Sequence, residues 1–148
     1  MIALHDTERT TDDLDAGFTL IELLVVMIII GILASIAIPT FLHQRQNAIG
    51  SGQIADLRSV ADEVEAFNVN QDGYPTLLTQ ASSQVTLSSP LATDDQRVTV
   101  GNSIQYSLRP ITLDAYCLKA HNPKAAGDRI WISDAGGIQP PTVTVCPF

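Results

Sequence analysis

The 148-residue chain lacks most of what an enzyme or a nucleic-acid binder requires. It has 8 Lys and Arg against 16 Asp and Glu, a formal net charge of −8, so no broad basic surface exists to neutralise phosphates, and nucleic acid is not an expected partner. Its three histidines, His5, His43 and His121, are too scattered for a zinc site or a Ser-His-Asp triad. G-x-S-x-G, H-E-x-x-H, phosphate-loop and G-x-G-x-x-G motifs are all missing. No catalytic residue, metal or cofactor is therefore expected. The length excludes a large two-domain enzyme, and no Asn-x-Ser/Thr glycosylation site occurs.

Charge is also missing from one long stretch. Between Phe18 and Leu42 the only ionisable side chain is Glu22. Leu23–Ile38 is sixteen residues without a charge, and with Phe18–Glu22 the stretch reaches 21 residues, or about 31 Å as a helix, close to the hydrocarbon thickness of a bilayer. A domain this small cannot enclose a helix that is apolar on every face, so a membrane span is expected over 18–39 rather than a core helix. A secretory signal sequence needs a basic leader, an apolar stretch of about 7–15 residues and a small-residue cleavage motif. Here the apolar run is longer, and Pro39-Thr40-Phe41 follows it. Upstream, residues 1–17 form a polar leader with Asp6, Glu8, Asp12, Asp13 and Asp15 against Arg9. Leader and span meet at Gly17-Phe18, where glycine leaves the backbone open to another protein. This junction reads as a processing site.

An ionised acid inside a membrane segment costs a few kcal/mol even on lenient scales and is usually paired or functional. Cleavage after Gly17 would leave a free amine on Phe18, four residues before Glu22, near a helix end whose dipole also favours the acid. Glu22 is then expected to pair with its own Phe18 amine or with that of a neighbouring subunit, the alternative being an unpartnered acid that reaches the membrane interface.

Gly17 followed by FTLIELLVVMIIIGILASIAIPTFL resembles the leader junction and N-terminal helix of type IV prepilins and of the related pseudopilins of type II secretion. The following FLHQRQNA and Asp72-Gly73-Tyr74-Pro75 are also similar to bacterial type IV pilins. The resemblance implies cleavage between Gly17 and Phe18 by a prepilin peptidase, N-methylation of Phe18, and insertion in the inner membrane before assembly. It implies polymerisation with identical or related subunits into an extracellular filament, driven by an assembly platform and ATPase, with Glu22 paired to the neighbour's Phe18 amine. A type IV pilus subunit serving adhesion, motility or DNA uptake is the leading expectation. A pseudopilin of a secretion or competence system, or a membrane-anchored tip adhesin, is the alternative. Heads of the pseudopilin branch often carry a calcium site and lack a C-terminal disulfide, so Cys117 and Cys146 tilt the expectation toward a true pilin. The acidic leader departs from the basic leaders usual in the family, and its charge does not support the expected orientation with the head outside. That orientation rests on the cleavage motif and the cysteines.

Gly31 and Ser35 have the small-xxx-small spacing that lets helices approach closely, and Pro39 removes a helix hydrogen bond and loosens the turn near Ser35. Gly31 and Pro39 are thus candidate flexing points, and in assembled pilins the corresponding stretch is often unwound. Beyond Pro39, Ile54, Leu57, Ala61, Val64 and Phe67 mark one face of a helix. An amphipathic second half is expected over 40–71, with Gly50-Ser51-Gly52 as a soft point and Asp72-Gly73-Tyr74-Pro75 as the stop. Residues 72–148 are expected to form a globular head. Its stretch 76–93, rich in Ser and Thr, reads as a surface loop, and Asp94-Asp95 as solvated loop acids. Strands are expected at Arg97–Val100, Ile104–Leu108, Ala115–Ala120, Arg129–Ser133 and Thr142–Val145, with a turn at Gly136-Gly137. The fold class is α+β, a long N-terminal helix on a small antiparallel sheet. Cys117 and Cys146, the only cysteines, are expected to form a disulfide in the external head, because no second pair or nearby histidine completes a metal site.

Overall fold

The computed structural model describes residues 17–110 and 112–148; the expected leader, apart from Gly17, lies outside them. One helix, α1 (Leu20–Gln71), is followed by strands β1 (Leu77–Ala81), β2 (Gln84–Ser89), β3 (Ala92–Arg97), β4 (Ser103–Leu108), β5 (Tyr116–His121), β6 (Arg129–Ile132) and β7 (Gly137–Ile138). The chain divides into two compact units, one ending at Pro39 and one running from Thr40 to Phe148.

In the first unit every large apolar side chain from Phe18 to Ile38 is exposed. The most apolar 18-residue window of α1 averages a hydropathy of 2.9, with none of it buried. Pro39 lies inside α1, and the Ser35 hydroxyl donates to the Ile32 carbonyl at 2.7 Å.

In the second unit α1 buries Leu57, Val60, Ala61, Val64 and Phe67 against Val85, Leu87, Val98, Ile104, Tyr116, Leu118 and Ala120. The helix stops because Asp72 adopts a left-handed conformation, φ 54°, and the Gly73 N–H reaches back to the Asn68 carbonyl. This six-to-one bond closes a Schellman end. Gly50-Ser51-Gly52 continue α1 without a break, all three being helical. Gly50 is buried, and a Cβ there would meet the Arg129 guanidinium at 3.4 Å, so the missing side chain makes room for the head.

Two antiparallel sheets accompany the helix, β1-β2-β3 and β4-β5-β6-β7. The first occupies the stretch read as a Ser/Thr-rich loop over 76–93, which is thereby corrected. Val85 and Leu87 alternate inward along β2, their polar neighbours face out, and β-branched threonines suit a half-buried pleat. Two-residue turns, Ser82-Ser83 with Ser82 at φ 58° and Pro90-Leu91, join the pairs Ala81↔Gln84 and Ser89↔Ala92. Asp94 and Asp95 sit in β3 rather than in a loop. The Asp95 carboxylate accepts from Gln84 Nε2 and Thr86 Oγ1 at 2.7 and 2.6 Å. The expected strand Arg97–Val100 is also corrected: β3 ends at Arg97, and Val98 is tied to the Ser83 carbonyl.

β5 is buried on both faces. Tyr116, Leu118 and Ala120 join the helix core. On the other face Cys117 packs with Ile130, Ile132, Val143, Cys146 and Phe148. Thr142–Val145 forms no strand; Val143 instead covers the outer face of β5 and β6 as part of an irregular segment that the disulfide Cys117–Cys146 anchors.

Candidate functional site

At the N-terminal end, Gly17 and Phe18 are both exposed, Phe18 at 88%. The helix begins two residues later. The Thr19 N–H donates to Glu22 Oε2 at 2.9 Å, the Thr19 hydroxyl donates to the same oxygen at 2.8 Å, and the Glu22 N–H donates back to Thr19 Oγ1 at 3.3 Å. This capping box satisfies free N–H groups of the first turn with side-chain oxygens. Sequence reading singled out Glu22 and passed over Thr19, although Thr19-Leu20-Ile21-Glu22 carries the spacing of the motif. Gly31 has nothing within 4 Å of where a Cβ would stand, so within this one chain nothing demands its lack of a side chain.

The head holds two polar clusters that the sequence did not reveal. Asp56 is buried in the helix face and accepts from the Thr99 N–H and hydroxyl, both at 3.0 Å, and from Asn102 Nδ2 at 2.5 Å. Asn102 Oδ1 accepts from Asn122 Nδ2 at 2.7 Å. Gln80 bridges to the Asn102 carbonyl and the Ile104 N–H, which ties β1 to the start of β4. The Arg109 guanidinium pairs with Asp114 at 2.9 Å and with Asp134, and lies 5.0 Å from the Phe148 ring. Both clusters tie together segments distant in sequence, α1 to the loop before β4 in the first and the β4–β5 connection to Asp134 in the second.

Titration in the head follows from its packing. Burial, together with a hydrogen bond to and the charge of Asp94, pushes the Glu63 carboxyl above its ordinary value. Asp128 is partly buried, which opposes ionisation, yet hydrogen bonds from Lys119 at 2.9 Å and His121 at 2.7 Å hold its carboxyl below the usual range. Among the described residues no group of three His, Cys, Asp or Glu is arranged to hold a metal ion, and His43 and His121 are not brought together.

Residues 14–38 match the prokaryotic N-terminal methylation motif. The chain carries the N-terminal methylation motif of the type IV pilin and pseudopilin class. That class consists of structural subunits rather than enzymes, and its apolar helix implies a precursor in the inner membrane. The chain is similar to type II secretion system core protein G of Klebsiella pneumoniae, 32% identical over 76 residues, covering 51% of this chain and 53% of that protein. Against core protein G of Escherichia coli K12 it is 32% identical over 68 residues, 46% of each chain. Against competence protein ComGC of Halalkalibacterium halodurans it is 35% identical over 63 residues, 43% of this chain and 62% of that one. The chain spans about half the length of the type II secretion relatives it matches. The pilin-like α+β fold agrees with these likenesses.

Proposed function

We propose that the chain is a pseudopilin-type subunit of a type II secretion or competence machine, cleaved after Gly17, N-methylated at Phe18 and assembled through its apolar helix. The observation that carries this reading is the extent of the likeness. The methylation motif covers 25 residues, 14–38, whereas the matches to core protein G and ComGC run over 76 and 63 residues. Both are longer than the methylation motif itself, and both relatives belong by name to secretion or competence. This shifts the balance from the surface pilus favoured by the cysteine pair to the secretion or competence alternative.

The exposed apolar surface from Phe18 to Ile38 supports assembly, because a surface of this kind is unstable in water and needs lipid or other copies of the helix as its surroundings. Before assembly the helix lies in the inner membrane with the head outside. The partners are prepilin peptidase with its methyltransferase, an assembly platform with its ATPase, and related subunits. Glu22 contributes the carboxylate that meets a neighbour's Phe18 amine, while Gly31 and Pro39 supply flexibility during packing.

The test is deletion of the gene, scored for protein release, DNA uptake and surface fibres. Loss of release or uptake with surface fibres intact is the expected result. Loss of long surface fibres with both release and uptake intact would contradict the reading and return the pilus assignment.

A further inference from the structure

The charges of the second unit are sorted along α1. β5 runs antiparallel to the helix, since the Tyr116 hydroxyl donates to the Ala61 carbonyl and the Ala120 carbonyl accepts from Gln53. Height along the helix therefore fixes height in the sheets. At the lower end, the one that begins at Thr40, the Arg129 guanidinium stands 3.4 Å from where a Gly50 Cβ would be, and Lys119 precedes Ala120. Lys124 donates its N–H to Asn122, which reaches Asp56 through Asn102. Arg97 follows Gln96, the partner of Ser59. With Arg45 and Arg58 on the helix itself, this end holds six cations against the two acids Asp56 and Asp128, a net +4.

The far end has the opposite sign. Asp62, Glu63, Glu65 and Asp72 stand on or just after the helix, and Asp94 faces Glu63 with Asp95 beside it. Beyond the Tyr116 end of β5, Asp114 and Asp134 flank Arg109. Eight acids against one cation give −7. Sorting leaves the cations of the lower end without carboxylate partners: among the described residues only Lys119 of the six forms an ion pair, with Asp128. Val69, Leu77, Leu91 and Leu113, four of the six large apolar side chains exposed after Leu42 among the described residues, also lie at the acidic end.

Two copies side by side at one height set like charges against each other. Displaced along the axis by about 20 Å, the rise from Gly50 to Glu63, the basic end of one copy meets the acidic end of the next, and such complementarity fixes register. An anionic lipid surface suits the observations less well. The charge-free run ends at Leu42, and the Gly50 level lies about 12 Å further along the helix, beyond the Debye length of about 8 Å at physiological salt. Lipid would also leave the acidic, partly apolar end without a partner. We infer that the basic end around Arg97, Lys124 and Arg129 docks on the acidic end around Asp62 and Asp94 of a second copy of this chain, displaced along the helix axis. This docking rests on the assembly role proposed above and adds to it the stagger between heads.

The test treats membranes of cells making the full chain with carbodiimide, which joins an amine to a carboxylate in direct contact. Lys119 and Asp128, 2.9 Å apart in one chain, should link within the monomer and serve as the internal standard. Lys124, and the amine that Arg97→Lys adds, should link to peptides holding Asp62, Glu63 or Asp94 and appear in the dimer band. Lys124→Arg keeps the charge and should lose only its link, with multimers on native gels at the wild-type level. Arg97→Glu with Lys124→Glu should lower multimers at least fivefold, and Asp62→Lys at least twofold, with head melting unchanged. If the charge reversals lower head melting, the linkage alone decides. Linkage of neither amine to a second copy, or wild-type multimers in Arg97→Glu with Lys124→Glu, overturns the inference. Wild-type multimers with weaker binding of that variant to phosphatidylglycerol vesicles would assign the basic end to lipid. A wild-type chain that is not cut after Gly17 or forms no multimers fails the subunit role itself, and this docking with it. That outcome is read from wild type before any variant is compared.

Discussion

Residues 23–38 and 54–67 belong to one helix and are both rich in apolar side chains, yet they behave as opposites. In the first stretch apolar residues stand on every face and all the large ones are exposed. In the second they form a stripe, and Leu57, Val60, Val64 and Phe67 are 0–3% exposed. The difference is one of pattern rather than of apolar content. A stripe can be covered by a small domain's own sheets, whereas an all-round apolar surface needs lipid or other helices around it.

The same truncation in the two stretches should break the symmetry of the helix most clearly. Leu57→Ala removes methyl groups from a fully buried position and should cost about 2–5 kcal/mol of head stability. Ile29→Ala, at an exposed position, should leave the head's melting unchanged. Denaturation of the full chain in detergent, followed by Trp131 fluorescence, measures both. Equal losses would mean that the two stretches share one packing environment.

Next in size is the disulfide, which belongs to the buried side of the comparison. Bridging positions 29 apart restricts the unfolded chain by about 3.6 kcal/mol in the entropy model. Replacing both cysteines by alanine should lower the head's melting temperature accordingly and speed proteolysis after Gln139, while membrane insertion of the first stretch stays unchanged. Free-thiol labelling of folded, unreduced wild-type protein should find almost nothing.

The smallest effect lies at the rim, where Glu63 faces Asp94. Its carboxyl is raised in the folded state, so the folded head binds more protons than the unfolded chain between the ordinary and the raised value. Stability is therefore fully present below the unfolded pKa, about 4.3, and falls as pH rises through the folded one. Glu63→Gln should raise the melting temperature slightly at pH 7 and leave it unchanged at pH 3. A decrease at pH 7 would reverse the sign argued here.

The comparison also accounts for what could be read in advance. The charge-free run and the Leu57–Phe67 stripe are local patterns, and each was legible; the Gly17-Phe18 junction falls within the matched methylation motif. The β1-β2-β3 sheet was not, because serine and threonine between 76 and 93 suggest a loop, while the only fully buried side chains of its strands are Val85 and Leu87, with Leu78 and Ala92 half-buried beside them. Thr142–Val145 looked like a strand by composition, but no neighbour pairs with it, and the disulfide and the Ile130–Ile132 face hold it instead. Asp56 gave no signal, because its partners Thr99 and Asn102 are more than forty residues away. Thr19 did carry a local signal, the spacing to Glu22, which the search for a charge partner obscured.

The most direct measurement uses the absence of free cysteines. Single cysteines are introduced at each position from Leu23 to Leu33 and at Leu57, Val60 and Val64, and assembled material is oxidised under mild conditions. The account predicts disulfide-linked dimers at a periodic subset of positions 23–33 and none at the three core positions, since the first stretch meets other copies while the second meets its own head. Properly processed chains with no cross-link anywhere in 23–33, or with equal cross-linking at Val64, would contradict it.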